Sequence, residues 1–407
     1  MLAINPFRPG AGQKPLYLAG RSHEQDSFSR MLDQAPVLRN VIITGLRGVG
    51  KTVLLDNLKP IAQGKRWLWT GNDLSESASL TEERISRRLV TDLSLLLGPI
   101  LIRYSQTLPF GFTSQVEQRA TPITFDDLWG LYERTPGLTD DKLKAVLNQV
   151  RTMLEVTDIS GIVFAYDEAQ NLADHAADKE YPLSILLDVF ASLQRTHHKV
   201  QFLLVLTGLP TLFPRLNEAR TYTERMFDVL TLDKLSELDS RSAIEKPLEL
   251  SQSPIQFSQR TVDSIINLSG GYPYFLQYIC KEVFDAWIVR IGDGEEPKVA
   301  RDEIISKLDQ DFFSPRWDRA TDRQQEFMYV ISLLSNSETE FTTQEIVNVS
   351  KQALKKGFSS SHATQILSAL VEKGLIYRNR HGKYSFAVPL MSAFIKRQYG
   401  TFELLNS

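Results

Sequence analysis

Short apolar runs alternate with amphipathic stretches over the first half of the chain. Val41 to Ile43, Arg66 to Thr70, Gly161 to Tyr166 and Val200 to Leu206 predict buried strands, and stretches with helical spacing separate them. Strands that are apolar throughout and alternate with helices are typical of a parallel sheet covered on both faces, so the pattern predicts an α/β fold. In such a fold we expect functional residues at the carboxyl ends of the strands.

Helical spacing marks the segments between and after these strands. The predicted helices include Ser22 to Ala35, Leu80 to Leu97, Phe125 to Arg134, Asp140 to Glu155, Pro182 to Arg195, Glu237 to Leu250, Ser258 to Leu268, Tyr274 to Arg290 and Ala300 to Phe312. Residues 105–125 show no clear pattern and are interpreted as a loop or an insertion. Strand patterns end near Leu235, so a helical subdomain is expected beyond it, with a turn at Gly292 to Pro297.

The pattern changes again after Asp322. Three stretches have helical spacing and two later ones alternate about His381 and Gly382 like the strands of a β-hairpin: Gln324 to Leu334, Thr343 to Ala353, Ser359 to Lys373, Gly374 to Arg378 and Lys383 to Phe386. Three helices followed by a hairpin indicate a winged helix. The predicted segments are an irregular N-terminus (1–20), an α/β core (21–234), a helical subdomain (235–320) and a winged-helix domain (321–407).

Composition narrows the possible classes. A chain of 407 residues with 42% hydrophobic and 23% charged residues is expected to be soluble, globular and multidomain. Its net charge of -3 gives no overall electrostatic reason to bind nucleic acid, so DNA contact would depend on a local patch. The single cysteine, Cys280, excludes intrachain disulfides, and no apolar run approaches the roughly 20 residues of a membrane helix. We expect a cytoplasmic protein without a membrane partner.

The segment Gly45 to Thr52 reads GLRGVGKT, which matches the P-loop pattern. Its three glycines allow backbone N–H groups to approach a triphosphate, and the following helix adds about half a positive charge at its N-terminus. Lys51 is expected to reach the β- and γ-phosphates, and the Thr52 hydroxyl is expected to ligate Mg²⁺. The sequence therefore predicts an ATP site.

Polar residues follow two other predicted strands. Asp167 is expected to orient Mg²⁺ and Glu168 to polarise the attacking water, although an exposed acidic turn is the alternative. Thr207 is placed to hydrogen-bond the γ-phosphate or that water. A structural threonine that caps the turn Gly208 to Pro210 explains the same residue.

Two further features allow both a functional and a structural interpretation. Of the three arginines Arg215, Arg220 and Arg225, Arg225 is the candidate for an arginine finger that reaches the γ-phosphate of a neighbouring subunit. Such an arginine can raise the rate of hydrolysis by roughly 10³–10⁵. Arginines on helix surfaces are also common. The stretch Gly270 to Pro273 opens a helix and either presses the helical subdomain against the nucleotide or forms a capped turn.

The winged-helix segment carries a modest set of polar and basic residues. Those at the start of its predicted recognition helix and those around it are Ser359, Ser360, Ser361, His362, Thr364 and Gln365, with Lys351, Lys355, Lys356, Arg378, Arg380 and Lys383. Such side chains contact phosphates and base edges of double-stranded DNA. Winged helices also serve as protein contacts or lids, so both possibilities stay open.

With these motifs, the chain resembles the AAA+ ATPases of the origin-recognition and STAND-like group, which join a P-loop core, a helical lid and a winged helix. The motifs that carry the resemblance are LAGR at Leu18 to Arg21, GLRGVGKT at Gly45 to Thr52, FAYDEAQNL at Phe164 to Leu172, LTGLPTL at Leu206 to Leu212 and GGYPYFLQ at Gly270 to Gln277. The nucleotide-binding residues expected on this basis are Gly45, Arg47, Gly48, Val49, Gly50, Lys51, Thr52, Val53 and Pro273.

The resemblance also implies roles. Asp167 and Thr52 would hold Mg²⁺, Glu168 would be the catalytic base, Thr207 would occupy the sensor-1 position, and Arg225 would act across a homo-oligomer interface. The chain departs from many AAA+ lids because Tyr274 and Phe275 stand where an arginine is common. The STAND-like form, in which the proline element contacts the nucleotide, fits this region better.

Two functions therefore compete. The first is an ATP-hydrolysing AAA+ protein that associates with DNA and assembles through its ATP sites. The second is a STAND-like switch with slow turnover, in which the winged helix holds a closed ADP state and a protein partner is sensed. A regulatory ATPase that serves transposition or defence is a third interpretation, for which no residue identifies a partner.

Overall fold

The computed structural model describes residues 4–10, 12–100, 102–107, 117–196, 198–290, 300–380 and 382–406. The strands are β1 Asn40–Gly45, β2 Trp67–Thr70, β3 Ile102–Thr107, β4 Glu117–Pro122, β5 Gly161–Tyr166, β6 Gln201–Gly208, β7 Phe227–Leu232, β8 Phe341–Thr342, β9 Ile376–Arg380 and β10 Lys383–Phe386.

The helices fall into two runs along the chain. Those before β7 are α1 Ser22–Leu32, α2 Lys51–Gly64, α3 Glu82–Leu97, α4 Phe125–Arg134, α5 Thr139–Leu154, α6 Pro182–Gln194, α7 Leu212–Ala219 and α8 Thr223–Met226. Those after it are α9 Glu237–Leu250, α10 Gln259–Ser269, α11 Pro273–Arg290, α12 Arg301–Leu308, α13 Ser314–Trp317, α14 Asp322–Ser332, α15 Thr343–Ala353, α16 Ser360–Glu372 and α17 Met391–Asn406. A π-helical turn, Asp309–Phe313, joins α12 to α13.

The central sheet has five strands in the order β2-β5-β6-β1-β7. The pairs β2-β5, β5-β6 and β6-β1 are parallel, and the register sets Leu206 of β6 beside both Tyr166 and Ile42. Every residue of β1 and β5 is buried, as expected for strands covered on both faces. The predicted α/β fold with a parallel sheet is therefore confirmed. The sequence pattern did not identify β7 as a strand, because only its first and last residues are buried.

The chain divides into two compact units. The sheet unit comprises His23–Thr44 and Leu54–Thr231, and the helical unit comprises Met1–Ser22, Gly45–Val53 and Leu232–Ser407. The glycine-rich loop after β1 thus belongs to the helical unit. The boundaries of the four predicted segments stay a prediction.

The core of the sheet unit is built from apolar side chains of the strands and of α3, α5 and α6. Phe164 of β5 makes edge-to-face contacts with Phe190 and Phe202, at ring distances of 5.2 and 5.9 Å. Asn40 is a fully buried polar residue of this unit, and its Oδ1 accepts from the backbone N–H of Leu204 at 2.8 Å. This bond fixes the start of β1 against β6.

The core of the helical unit combines aliphatic side chains with many aromatic ones. The irregular N-terminal segment takes part in it, because Phe7 is buried and its ring stacks on Phe257 at 6.0 Å. The Asn5 amide donates to the Lys281 carbonyl and to Asp285 Oδ1, at 3.1 and 2.7 Å. No helix among the described residues combines the length and the apolar character needed to cross a membrane.

The last part of the helical unit has the predicted order of three helices and a hairpin. Helices α14, α15 and α16 begin at the N-caps Thr321, Thr342 and Ser359, and β9 pairs with β10. Strand β8 adds a third strand, and α17 follows. The sequence pattern predicted neither β8 nor α17.

One of the two interpretations of residues 105–125 was wrong. The described residues there are not a patternless loop, because β3 and β4 form an antiparallel pair in which Ile102 faces Pro122, whereas the interpretation as an insertion stays a prediction. The two strands, IRYSQT and EQRATP, alternate too little between apolar and polar residues to predict a strand. Residues 108–116, the predicted turn Gly292 to Pro297 and His381 lie outside the described residues.

Candidate nucleotide site

The glycine-rich loop runs from the last residue of β1, Gly45, to the first residue of α2, Lys51. Gly48 and Gly50 have φ angles of +81° and +92°, which residues with a Cβ rarely adopt. A Cβ on Gly45 would lie 2.4 Å from the Leu232 carbonyl oxygen. Glycine at these positions is therefore required by the backbone path of the loop itself.

Lys51 brings a positive charge to this loop. Its Nζ donates to the carbonyl oxygens of Gly45 and Leu46 at 3.0 and 2.9 Å, so the ammonium lies within the curve of the loop at the N-terminus of α2. Thr52 is the next residue of the same helical turn and is half-buried. An ammonium, a helix N-terminus and a hydroxyl in consecutive positions form a site with the chemistry that phosphate groups require.

Two contacts from distant parts of the helical unit hold the loop from outside. The buried Arg21 guanidinium donates to the Val49 carbonyl at 3.1 Å and to the Asp233 carbonyl at 2.6 Å. At the start of α11, the Tyr274 N–H donates to the Gly48 carbonyl at 3.1 Å. Pro273 occupies the first position of that helix, where a missing N–H costs nothing. The first turn of α11, which follows the predicted element Gly270 to Pro273, therefore contacts the loop directly.

A second arginine adds to the positive charge near this loop. Burial lowers the pKa of the Arg316 guanidinium, and the charge of Arg47 lowers that pKa further. Arg316 lies 4.0 Å above the Phe312 ring and donates to the Phe312 carbonyl at 2.5 Å. In the described part of the chain, no carboxylate lies within ion-pair distance of Arg316. Arg47 and Arg316 therefore bring two positive charges close together, with no described carboxylate paired to Arg316, and this favours binding of an anion.

In the sheet unit, polar groups gather at the carboxyl ends of β5 and β6. Asp167 directly follows β5, is buried, and accepts from the Glu168 N–H at 2.8 Å. Glu168 is exposed and has a φ of 52°, a left-handed conformation that is uncommon for residues other than glycine. The turn thus gives the two carboxylates different surroundings: Asp167, the predicted metal ligand, is buried, and Glu168, the predicted base, is exposed.

Thr207 lies inside β6, which extends to Gly208 and so beyond the predicted end at Leu206. It pairs in register with Ile43 of β1 and is fully buried. Within the described residues, its Oγ1 has no hydrogen-bond partner, and neither does Oγ1 of Thr44 at the end of β1. A buried hydroxyl without a partner costs about 1–3 kcal/mol, so both atoms are suited to a ligand or a bound water. The sequence analysis missed Thr44, which no motif marks.

The three arginines after β6 have different surroundings. Arg220 is fixed by Asp188, with Nη2 to Oδ2 at 2.7 Å, and Arg215 donates to the carbonyl oxygens of Gln170 and Leu172. Arg225 is exposed, and its guanidinium has no hydrogen bond or ion pair with any described residue. Of the three, Arg225 alone keeps its side chain available, although its role as an arginine finger stays a prediction.

Each unit carries groups that fit a part of a nucleoside triphosphate with Mg²⁺. In the helical unit, the loop has no room for a Cβ at Gly45, Lys51 supplies positive charge, and Thr52 supplies a hydroxyl oxygen. In the sheet unit, Thr207 offers an unsatisfied hydroxyl and Asp167 a carboxylate, which is the kind of oxygen ligand that Mg²⁺ prefers.

The part of the chain from α14 to α17, called the C-terminal domain below, presents a polar, uncharged helix surface. Along the first turns of α16, the exposed residues are Ser360, Ser361, Thr364 and Gln365. Exposed cations lie nearby in sequence, at Lys351, Lys355, Lys356 and Arg378. His362 is partly buried with its ring 5.5 Å from Phe358, and Lys383 is half-buried, so these two are less available than the sequence suggested. The side chain of Arg380 lies outside the described part.

Comparison with known proteins identifies the fold. A family model described as "Domain of unknown function (DUF8462)" matches residues 310–395. No curated protein matches the chain. The chain is similar to the Aeropyrum pernix ORC2 protein in its ADPNP-ADP complexes, with 12% identity and a TM-score of 0.55 over 96% of this chain and 98% of that chain.

The ADP form of the same Aeropyrum pernix protein gives 13% identity and a TM-score of 0.53 over 96% of this chain and 97% of that one. The chain therefore shares the fold of this ORC2 protein, which agrees, at the level of the fold, with its resemblance to the origin-recognition group. The STAND-like part of the resemblance stays a prediction.

Proposed function

We propose that this protein binds and hydrolyses ATP with Mg²⁺ and couples its nucleotide state to DNA association through the C-terminal domain. Lys51 and the loop glycines bind the phosphates, while Thr52 and Asp167 hold the metal ion. Glu168 accepts a proton from the attacking water, and Thr207 hydrogen-bonds the γ-phosphate. Mg²⁺ neutralises charge on the phosphate oxygens when it is bound.

The hydrogen bond from Tyr274 to Gly48 is the main support for coupling. It joins the first turn of α11 to the middle of the phosphate-binding loop at 3.1 Å. A Cβ on Gly48 would lie only 3.1 Å from the Tyr274 Cβ, so the two backbones approach each other closely. A phosphate that changes the path of the loop would therefore act on α11 directly.

A column of aromatic rings continues from this contact into the C-terminal domain. Tyr274 lies 5.0 Å from Phe312, Phe312 lies 5.1 Å from Phe313, and Phe313 stacks on Phe394 of α17 at 5.2 Å. Close-packed rings transmit displacements because they leave no space to absorb them. The column supports a mechanical link between the loop and the last helix.

The similar ORC2 protein is described in complexes with ADPNP and ADP, which supports an adenine nucleotide as the ligand here. Nucleotide binding is tested by titrating a fluorescent ATP analogue with Mg²⁺ into the protein and into Lys51→Ala. We expect Lys51→Ala to weaken binding by about 100-fold, because charge-assisted bonds to phosphate are lost. The exposed Lys59→Ala, on the same helix, is the matched control and should bind normally. Equal affinities for all three proteins would refute a phosphate site at the loop.

DNA association is tested by substituting three exposed cations of the C-terminal domain. In the triple variant Lys355→Ala, Lys356→Ala and Arg378→Ala, we expect weaker binding to double-stranded DNA. The slope of log K against log salt should fall by roughly two to three, because each phosphate contact contributes about 0.9. DNA binding is measured by fluorescence anisotropy at several salt concentrations.

The control removes three exposed cations elsewhere, with the same change in charge. Lys59→Ala, Arg260→Ala and Lys396→Ala lie on α2, α10 and α17. This triple variant should keep the salt slope of the unmodified protein. If both triple variants lose the same affinity for DNA, the net charge of the protein determines DNA binding and no specific surface does.

A nucleotide switch that contacts protein is the second candidate. It is favoured by the ion pair between Arg397 of α17 and Asp309, with Nη2 to Oδ1 at 2.5 Å, which fastens the C-terminal domain to the π-helical turn. Such a protein would copurify with ADP and turn over slowly whether or not DNA is present. Hydrolysis stimulated by double-stranded DNA, together with assembly in ATP and Mg²⁺, would exclude this candidate.

A further inference from the structure

The side chain of Gln170 bridges two groups of the sheet unit. Its Nε2 donates to Oε2 of Glu168, and its Oε1 accepts from the backbone N–H of Leu209 at 3.1 Å. Gln170 lies on the 3₁₀ turn Ala169–Asn171 that follows β5, and Leu209 directly follows β6. One amide therefore joins the ends of two neighbouring strands.

The orientation of this amide follows from the groups that it faces. The Leu209 N–H can only donate, so the amide atom beside it must be the oxygen. The NH₂ group is then directed to Glu168, whose carboxylate can accept. Exchanging the two atoms would place donor against donor and acceptor against acceptor, so both bonds support the same arrangement.

Other contacts hold Gln170 in place. The Arg215 guanidinium donates to the Gln170 backbone carbonyl. A Cβ on Gly208 would come within 2.7 Å of Gln170 Oε1, so the absence of a side chain at 208 leaves room for the amide. Glu168 itself is exposed, and a hydrogen bond from Gln170 limits the directions that its carboxylate can take.

We infer that Gln170 is the positioning residue for Glu168 in ATP hydrolysis. It engages one oxygen of the Glu168 carboxylate and leaves the other to accept the proton of the attacking water. It also links Glu168 to the turn that begins two residues after Thr207. Contact of the γ-phosphate with the Thr207 hydroxyl is thereby transmitted to the base. This inference rests on the proposed ATP hydrolysis at this site.

Two substitutions separate the two halves of the bridge. Gln170→Ala removes both hydrogen bonds, whereas Gln170→Glu keeps an acceptor for Leu209 and replaces the donor with a second carboxylate that repels Glu168. We expect kcat to fall about tenfold in Gln170→Ala and at least as far in Gln170→Glu, while the Kd for the Mg²⁺ complex of ATP stays within twofold. An unchanged or raised kcat in either variant would overturn the inference.

Asn171→Ala provides the matched control on the same turn. The Asn171 side-chain amide donates to the Leu74 carbonyl at 2.8 Å and, among the described residues, makes no hydrogen bond with the Glu168 carboxylate, so its loss tests general weakening of the turn. We expect kcat within twofold of the unmodified value and a similar small change in melting temperature for the two alanine variants. If Asn171→Ala lowers kcat as much as Gln170→Ala, the effect belongs to the turn and the positioning role is refuted.

A double-mutant cycle distinguishes positioning from structural support. When Glu168 is replaced by Gln, adding Gln170→Ala should leave the residual single-turnover rate unchanged, because Gln170 acts through the Glu168 carboxylate. A further tenfold loss in that background would overturn the inference. If Glu168→Gln alone keeps full turnover, the proposed base is wrong. A loss in Glu168→Gln without a loss in Gln170→Ala would refute the positioning role alone.

Discussion

The glycine-rich loop after β1 and the acidic turn after β5 both follow a buried parallel strand, yet they are held in different ways. In the first, glycines adopt positive φ angles and the Gly48 carbonyl accepts from a backbone N–H, while the side chains of Arg21 and Lys51 donate to other carbonyls of the loop. In the second, backbone hydrogen bonds within the turn are joined by two side-chain amides: Gln170 bonds Glu168 and Leu209, and Asn171 bonds Leu74.

This difference has a physical consequence for each turn. A loop whose path depends on glycine conformations tolerates changes in side chains that point away from it, but it does not tolerate an added Cβ. A turn in which a side-chain amide holds Glu168 can reorient that carboxylate without moving the strand beneath it. Tight binding of phosphate needs the first property, and a base that must be in place only in the transition state is served by the second.

The largest expected effect concerns the acidic turn. Glu168→Gln should lower kcat by roughly 100-fold or more, because a general base typically contributes about 10²–10⁴, while nucleotide affinity stays near normal. Hydrolysis is measured by phosphate release and affinity by titration with a fluorescent ATP analogue. If Glu168→Gln lowers the affinity for ATP as much as it lowers kcat, the acidic turn serves nucleotide binding, and its contrast with the glycine-rich loop fails.

A smaller effect is expected from adding one methyl group to the glycine loop. Gly45→Ala should destabilise the protein by more than about 1 kcal/mol and weaken ATP binding, because the new Cβ would meet the Leu232 carbonyl at 2.4 Å. Thermal unfolding and nucleotide titration check both effects. Gly64→Ala, at the end of α2 where nothing lies within 4 Å of the added atom, is the control and should be neutral. Equal melting temperatures for the two variants would contradict a backbone-held loop.

The smallest effect concerns the charge beside the loop. Arg316→Ala should weaken ATP binding about threefold to tenfold, because a half-buried cation contributes about 1 kcal/mol to an anion nearby. Arg316→Lys should recover part of this affinity, and the exposed Arg260→Ala should have none of the effect. Titration of ATP and ADP with each variant measures the contribution. Unchanged affinity for both nucleotides would show that the loop alone supplies the charge.

The sequence alone identified the elements and residues that belong to a local sequence pattern. The parallel sheet was predicted from apolar runs and is confirmed, and the glycine loop was recognised because its spacing is imposed by the backbone. The helices after Leu235 were also placed correctly to within a few residues at most ends. The assigned roles of Lys51, Asp167 and Thr207 are not tested by the fold and stay predictions.

Contacts between residues far apart in sequence could not be found in this way. Arg21 belongs to the LAGR motif, but its contact with Asp233 spans 212 residues. Arg316 comes near the loop only because α11 and the π-helical turn pack together. Gln170 is part of a short motif, but its bond to Leu209 spans 39 residues. A single sequence contains no signal for such pairs, because each residue has an ordinary local environment.

The N-terminal segment has a consequence for the order of folding during synthesis. The Asn5 amide bonds to Asp285, 280 residues later, and Phe7 is covered by rings from the same late region. The ribosome adds roughly 5–20 residues per second, so these early residues wait many seconds for their partners. During that time, an apolar ring and a glycine-rich loop without its Tyr274 contact are exposed to chaperones and to other chains.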